Sequence, residues 1–191
     1  KVCGTLSLSS ILSPGTKKMN KENKLVPGLP SGFEDRWDKK LLLKKKLLKA
    51  IENNFIKFGA EALETPSFEI SENIGSFLAE DEANPMSDVF SFQDGDKSIT
   101  LRYDLSSPLA RFVAQNNQEL PSIFKRYQIQ NVFRNEKAGN GRYREFMQAD
   151  FDIVGNVNPA QANAELCNLI SSTLSDCGLK KDQFTINVSN R

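Results

Sequence analysis

Between Phe133 and Gly155 the chain reads FRNEKAGNGRYREFMQADFDIVG, and this stretch holds the residue types best suited to chemistry. Arg134, Lys137, Arg142 and Arg144 surround a glycine-containing turn; Phe146 and Gln148 follow, and Asp150 and Asp152 close the run. Side chains alternate between the two faces of a strand. Arg142, Arg144, Phe146, Gln148, Asp150 and Asp152 therefore share one face, and Arg134 can join them from across the turn. Tyr143, Met147, Ala149, Phe151 and Ile153 take the other face, interrupted only by Glu145, and that side is expected to meet the core. A guanidinium fork matches phosphate or carboxylate oxygens in pairs. A phenyl ring offers a nucleobase a stacking surface. Carboxylates and an amide accept hydrogen bonds from an ammonium or another donor-bearing group. This order suits a long ligand, anionic at one end and donor-rich at the other. An ordinary solvent-exposed sheet face carries a similar mixture, so the pattern alone leaves both readings open. Gly139 and Gly141 suit a hairpin tip that needs positive φ, but they do not make a GxxxxGK[ST] phosphate loop.

A second constellation sits in LRYDLSSPLARF, residues 101–112. Asp104 and Ser106 alternate onto one face just before a helix, with Ser107 read as its N-cap and Pro108 as its first residue. Asp and Ser are also favoured before helices purely as caps.

Composition removes several other chemistries. The chain has 191 residues and no histidine, so Ser-His and Cys-His nucleophile pairs and mixed Cys/His zinc sites are excluded for it. Cys3, Cys167 and Cys177 are odd in number and far apart, which fits free thiols in a reducing cytosol better than a disulfide framework or a metal site. A net charge of +1 lacks the basic excess of a generic phosphate-backbone binder. No run reaches the roughly 18 apolar residues of a membrane span, and KVCGTLSLSSIL is a poor signal peptide. Residues 1–24 read as a disordered tail, of which 1–18 look non-native because Met19 offers a start.

The elements that must position these residues are those of an α+β domain, an antiparallel sheet flanked by helices. Trp37, Leu41, Leu48, Ile51, Phe55 and Phe58 recur at helical steps over about residues 35–58, with Gly59 as a stop. The lysines at 39, 40, 44, 45, 46 and 49 could meet a tRNA, or simply form the solvated face of an amphipathic helix. EALETPSFE reads as a short strand ending at Pro66, which lacks an N–H and belongs at an edge. VFSFQDGDKSITLRYD reads as a hairpin about Asp94-Gly95, and residues 122–134 and 142–154 as two long strands about KAGNG. Asn158-Pro159 opens a helix with Ala162, Leu166, Leu169, Ile170 and Leu174 on one face, and FTINVS reads as a last strand. Two hairpins imply antiparallel pairing, not a doubly wound parallel sheet.

Taken together, the segments resemble the class II aminoacyl-tRNA synthetases, in the form carried by histidyl-tRNA synthetases. FRNEKAGNGRYREFMQADFDIVG is similar to motif 2 of that class. GAEALETPSFE is similar to motif 1, with Pro66 as its proline, and LRYDLSSPLARF to the segment that contacts the amino acid. Order and spacing agree over about residues 25–191, read as the N-terminal portion of such a catalytic domain.

The resemblance implies an activity, ATP-dependent activation of histidine and its transfer to tRNA(His), with Mg²⁺ bridging phosphates, in a cytoplasmic homodimer. It implies that Arg134 grips the α-phosphate and the substrate carboxylate and is the catalytic residue. Glu136 faces the adenine, Phe146 stacks on it, and Arg142 and Arg144 meet the phosphates, their separate roles left open. Asp104, Ser106, Gln148 and Asp152, with Arg134, surround the histidine; Asp104 and Ser106 stand where many members carry Glu and Thr. No residue is assigned to a metal. Motif 3, the histidine-recognition segment and the anticodon-binding domain lie beyond residue 191 in that family, so the 191-residue chain alone is expected to be inactive. Two other readings compete. One is the regulatory subunit of ATP phosphoribosyltransferase, a non-catalytic relative of these synthetases; the other is a stand-alone binding module or non-functional fragment. Retention of Arg134, Glu136, Arg142 and Phe146 together favours an ATP-using site.

Overall fold

The computed structural model describes residues 26–74 and 88–189, and the sequence reading of a disordered tail falls outside them. Helix α1 runs Asp38–Lys57 and delivers Phe55 to a core with Ala60, Tyr127 and Leu169. Ile51, Phe58, Ile129, Phe151 and Leu166 pack around that cluster. Burying a side chain of this size contributes roughly 1.5–3 kcal/mol. Trp37 does not join the helical stripe: it precedes α1 and is 77% exposed.

After α1 the chain makes β1 (Glu61–Ala62) and then β2 (Phe68–Ile70), so EALETPSFE is two strands parted by Pro66 and not one. The pieces enter different sheets. β1 pairs parallel with β5 (Ile123–Phe133), a short parallel ladder that hairpin logic alone does not anticipate, and β5 pairs antiparallel with β6 (Glu145–Gly155). β2 pairs with β4 (Lys97–Leu101), which pairs with β3 (Ser91–Asp94) across Gly95 and Asp96. Buried Arg102 joins the two sheets. Its Nε donates to the Asn131 carbonyl at 2.7 Å, and one terminal nitrogen donates to the Thr65 carbonyl at 2.8 Å and to Gln130 Oε1 at 2.9 Å.

Helix α2 spans Ser106–Asn116, and its cap differs from the sequence reading. Asp104 Oδ1, not Ser107, accepts from the backbone N–H groups of Ser106 (3.1 Å) and Ser107 (2.9 Å). Helix α3, Pro159–Asp176, starts as expected, with Asn158 Oδ1 accepting from Ala160 N at 2.9 Å. Asn54 of α1 donates to Asp176 of α3 at 2.8 Å. FTINVS forms no strand: residues 184–189 find no ladder partner among the described residues, and Val188 is 72% exposed.

The β5–β6 ladder sorts the two faces. Phe124, Arg126, Gln128, Gln130 and Val132 stand opposite Val154, Asp152, Asp150, Gln148 and Phe146, respectively. Tyr127, Ile129 and Phe151 turn the other way, toward α1 and α3, as alternation requires. Helix α2 covers part of the first face, with the Phe112 ring 6.2 Å from that of Phe124. Gly155 closes the ladder at φ +136°, where an added Cβ would lie 2.2 Å from the Ser122 carbonyl oxygen, so only glycine fits.

Candidate active site

The two long strands end before the turn. Their ladder stops at Phe133↔Glu145, and residues 134–144 form an arm with its own small bridge between Gly139 and Arg142. Gly141 provides the positive φ at the tip (+74°). Arg144 N donates to the Gly32 carbonyl at 2.8 Å, so the lead-in segment braces this arm.

Arg134, the first residue of the arm, points into a cavity of about 310 Å³ lined also by Glu136, Gly141, Arg142, Tyr143 and Phe146. Its guanidinium carbon lies 4.4 Å from the Tyr103 ring centroid and 5.0 Å from that of Phe146. Two aromatic faces thus hold one cation, an electrostatic contact that also restricts where the fork can turn. The Tyr103 hydroxyl donates to Glu136 Oε1 at 3.1 Å, and Arg142 forms an ion pair with Glu136. Burial alone would raise the Glu136 pKa. Hydrogen bonds from Tyr103 and Arg142 and the charges of Arg142 and Arg134 outweigh it, holding the carboxyl below its ordinary value. For Tyr103 burial comes first and the bond to Glu136 second, and both push the phenol upward.

Arg144 is not part of this group. The alternation that places it beside Arg142 holds only where a ladder exists, and the ladder begins at Glu145. Its guanidinium carbon instead lies 4.5 Å from the Phe90 centroid, and its tip bonds Asn135 Oδ1.

The acidic end of the same face is built around Arg126, which is fully buried. One terminal nitrogen approaches Asp152 Oδ2 at 2.8 Å and donates to the Leu105 carbonyl at 3.1 Å; the other donates to Gln128 Oε1 at 3.1 Å. Burial lowers the Arg126 pKa, while Asp152, Asp150 and Asp104 oppose that by favouring its charge. The Asp150 carboxyl is pushed above its ordinary value, first by burial and then by Asp152 and Asp104, against the pull of Arg126. Asp104, Asp150 and Asp152 thus share one electrostatic neighbourhood. Gln148 extends it toward Phe146, with its Oε1 buried and without a partner among the described residues. Ser106 sits at the exposed start of α2, and its backbone N–H, donating to Asp104 Oδ1, is what ties it to the cluster among the described residues.

Tyr103 and Arg126 were not among the residues singled out from sequence. Arg126 left a signal: it stands two and four residues before Gln128 and Gln130 in a strand otherwise rich in apolar groups. Tyr103 left none. A second cavity, of about 320 Å³, opens on the other face between α1, α3 and β6. Its lining of Ile51, Phe55, Ala149, Phe151, Leu166, Leu169, Ile170, Thr173 and Leu174 carries no charge, and the polar constellation lies entirely opposite it. Among the described residues no group of three or more acids or cysteines is arranged to hold a metal ion, and no helix is long and apolar enough to cross a membrane.

The α+β fold, with helices α1 and α3 packed on one face of the long β5–β6 hairpin, is that of class II aminoacyl-tRNA synthetase catalytic domains, present here in part. Within that class the chain belongs to the histidyl-tRNA synthetase family, whose family model matches residues 32–190. It is 80% identical over 173 residues to the histidine–tRNA ligase of Pelagibacter ubique (strain HTCC1062), covering 91% of this chain and 37% of that protein. It is 46% identical over 164 residues to the histidine–tRNA ligase of Methylocella silvestris, covering 85% of this chain and 32% of that protein. The chain therefore spans about a third of the length of these curated relatives. Among solved structures it superposes on histidyl-tRNA synthetase from Nostoc sp. PCC 7120 with a TM-score of 0.65 and 27% identity, over 78% of this chain and 34% of that one. It superposes on an ATP phosphoribosyltransferase regulatory subunit/histidyl-tRNA synthetase from Bacillus halodurans with a TM-score of 0.70. That likeness, at 24% identity over 83% of this chain and 40% of that one, shows the fold.

Proposed function

We propose that the chain is the ATP- and histidine-facing part of a histidine–tRNA ligase, which activates histidine with ATP and transfers it to tRNA(His). The observation that carries the reading is the polarity of one sheet face: Arg134, Arg142 and Phe146 around a cavity at the arm, Gln148, Asp152 and Asp104 toward the base. Sequence identity to proteins named histidine–tRNA ligase favours this over the non-catalytic regulatory subunit, which the shared fold does not separate.

The mechanism follows from that polarity. The triphosphate lies toward Arg142 and the α-phosphate at Arg134, while the adenine takes Phe146 as its stacking surface and Glu136 as an acceptor. The α-ammonium and ring of histidine lie toward Asp152, Gln148 and Asp104. A histidine carboxylate oxygen attacks the α-phosphorus, the bond to the bridging oxygen breaks, and pyrophosphate leaves with the electron pair. A hydroxyl at the tRNA 3′ end then attacks the carbonyl carbon of the adenylate, the bond from that carbon to the phosphate oxygen breaks, and AMP leaves as the hydroxyl loses its proton. Reactions of this kind depend on positioning and fixed charge. Mg²⁺ would neutralise phosphate charge; the only carboxylate lining the arm cavity, Glu136, is paired with Arg142, so the described residues do not fit a metal cage and no step above depends on one. Arg144, engaged with Phe90 and Asn135, lies outside the lining of the arm cavity and makes no phosphate contact in this scheme.

The full parent protein is expected to catalyse histidine-dependent exchange of pyrophosphate into ATP; absence of that exchange in the presence of Mg²⁺ overturns the reading. The parent is further proposed to work in the cytoplasm as a symmetric dimer, using the α1 and motif 1 region, where Trp37, Leu42 and Leu43 are 77%, 65% and 59% exposed. Sedimentation of the parent at micromolar concentration checks the dimer, and a monomer refutes it.

A further inference from the structure

Arg126 has no place in the scheme above, yet it is fully buried on the ligand-facing side of β5. A buried guanidinium has to be compensated by fixed partners. Here they come from two segments that meet only in the folded chain. Asp152 belongs to β6, whereas the Leu105 carbonyl lies between Asp104 and Ser106 at the start of α2. Gln128 accepts from the second terminal nitrogen, and its own amide donates to Thr65 Oγ1 at 2.8 Å, so the fork cannot swing freely. Asp152 is a third exposed while Arg126 is not exposed at all, which places the carboxylate at the boundary between the buried cation and the open site.

We propose that Arg126 is a positioning residue for amino-acid recognition. It orients the Asp152 carboxylate and locks the Asp104-bearing turn against the sheet, without touching substrate itself. This rests on the reading of Asp152 as a histidine ligand. A second consequence is charge selection. Three carboxylates around one arginine leave an excess of negative charge at this end, which suits a cationic α-ammonium and repels a second carboxylate.

The test uses the full-length parent enzyme and pyrophosphate exchange, measured separately against histidine and ATP for Asp152→Asn, Arg126→Met, Arg126→Lys and the double variant Asp152→Asn/Arg126→Met. Arg126→Met is expected to raise the histidine KM by about tenfold through loss of the close ion pair with Asp152, with the ATP KM nearly unchanged. Arg126→Lys, keeping charge but losing the fork, should fall between wild type and Arg126→Met. In the Asp152→Asn background, Arg126→Met should add little. If Asp152→Asn leaves the histidine KM at the wild-type value, the ligand assignment of Asp152 fails, and this inference with it. If Asp152→Asn matters but the two substitutions multiply independently, or Arg126→Met moves both KM values equally, Arg126 is only structural and the inference alone is overturned. Should Arg126→Met not fold, Arg126→Lys decides by the same split between the histidine and ATP constants.

Discussion

Arg134→Ala in the parent enzyme is expected to reduce kcat for pyrophosphate exchange by about 10²–10³, the usual cost of losing one preorganised donor aimed at developing charge. The fork is held on two sides before any substrate arrives, by Tyr103 at 4.4 Å and Phe146 at 5.0 Å, and its Nε reaches toward the Tyr103 carbonyl at 3.4 Å. Such a group gives most of its stabilisation as charge moves at the α-phosphorus, so the loss should fall on kcat more than on either KM. Arg134→Lys should recover little, because one ammonium replaces neither the bidentate contact nor the flat surface packed between two rings. A variant with near-normal kcat would show that the arm cavity is an ordinary surface hollow.

Phe146→Ala should behave differently. Stacking of a base on an aromatic side chain is worth roughly 1–3 kcal/mol, which corresponds to a rise of about 5- to 150-fold in the ATP KM. The histidine KM should hardly move, since the residues assigned to histidine lie further down β6, at Gln148 and Asp152. Phe146 also flanks Arg134, so a smaller fall in kcat should accompany the change. Phe146→Tyr, which keeps the ring, should restore the ATP KM. If both substrates lose affinity equally, the ring is holding the hairpin together and not the adenine.

Within the ladder, alternation was enough to sort the second strand: Phe146, Gln148, Asp150 and Asp152 share one face as read from EFMQADFDIV, whereas their partners on β5 are set by a register that alternation does not specify. The helices were legible for a similar reason, with Asn158-Pro159 opening α3 by a local cap. Most of the failures sit where tertiary contacts overrule local pattern. Arg144 lies outside the ladder, and its direction is set by Gly32 and Phe90, more than fifty residues away in the chain. Pro66 splits a run that reads as one strand because its two halves serve different sheets. FTINVS alternates like a strand, but alternation stabilises nothing without a neighbouring ladder. Ser107 was read as the N-cap of α2 and Asp104 as either a ligand or a cap; the structure gives the cap to Asp104. Arg126 was passed over because a charged residue in a strand ordinarily signals exposure, and its burial comes from α2 and the Leu105 carbonyl.

The ion pair between Arg142 and Glu136 carries one more consequence. Arg142 is 65% exposed and Glu136 19%, so the pair is hinged at its inner, acidic member and loose at its outer one. Both partners are groups the nucleotide itself would claim, the guanidinium by a phosphate and the carboxylate by a base amine. On the proposed reading, nucleotide arrival would be a trade of partners, in which each group gives up the other and takes a contact from ATP. Inorganic phosphate could take Arg142 but would leave Glu136 with only Tyr103 and the more distant charge of Arg134, and adenosine would offer Glu136 a donor while leaving Arg142 alone. On the same reading, only a molecule carrying both ends would complete the trade, so the arm would favour base and phosphate joined on one ligand over either alone.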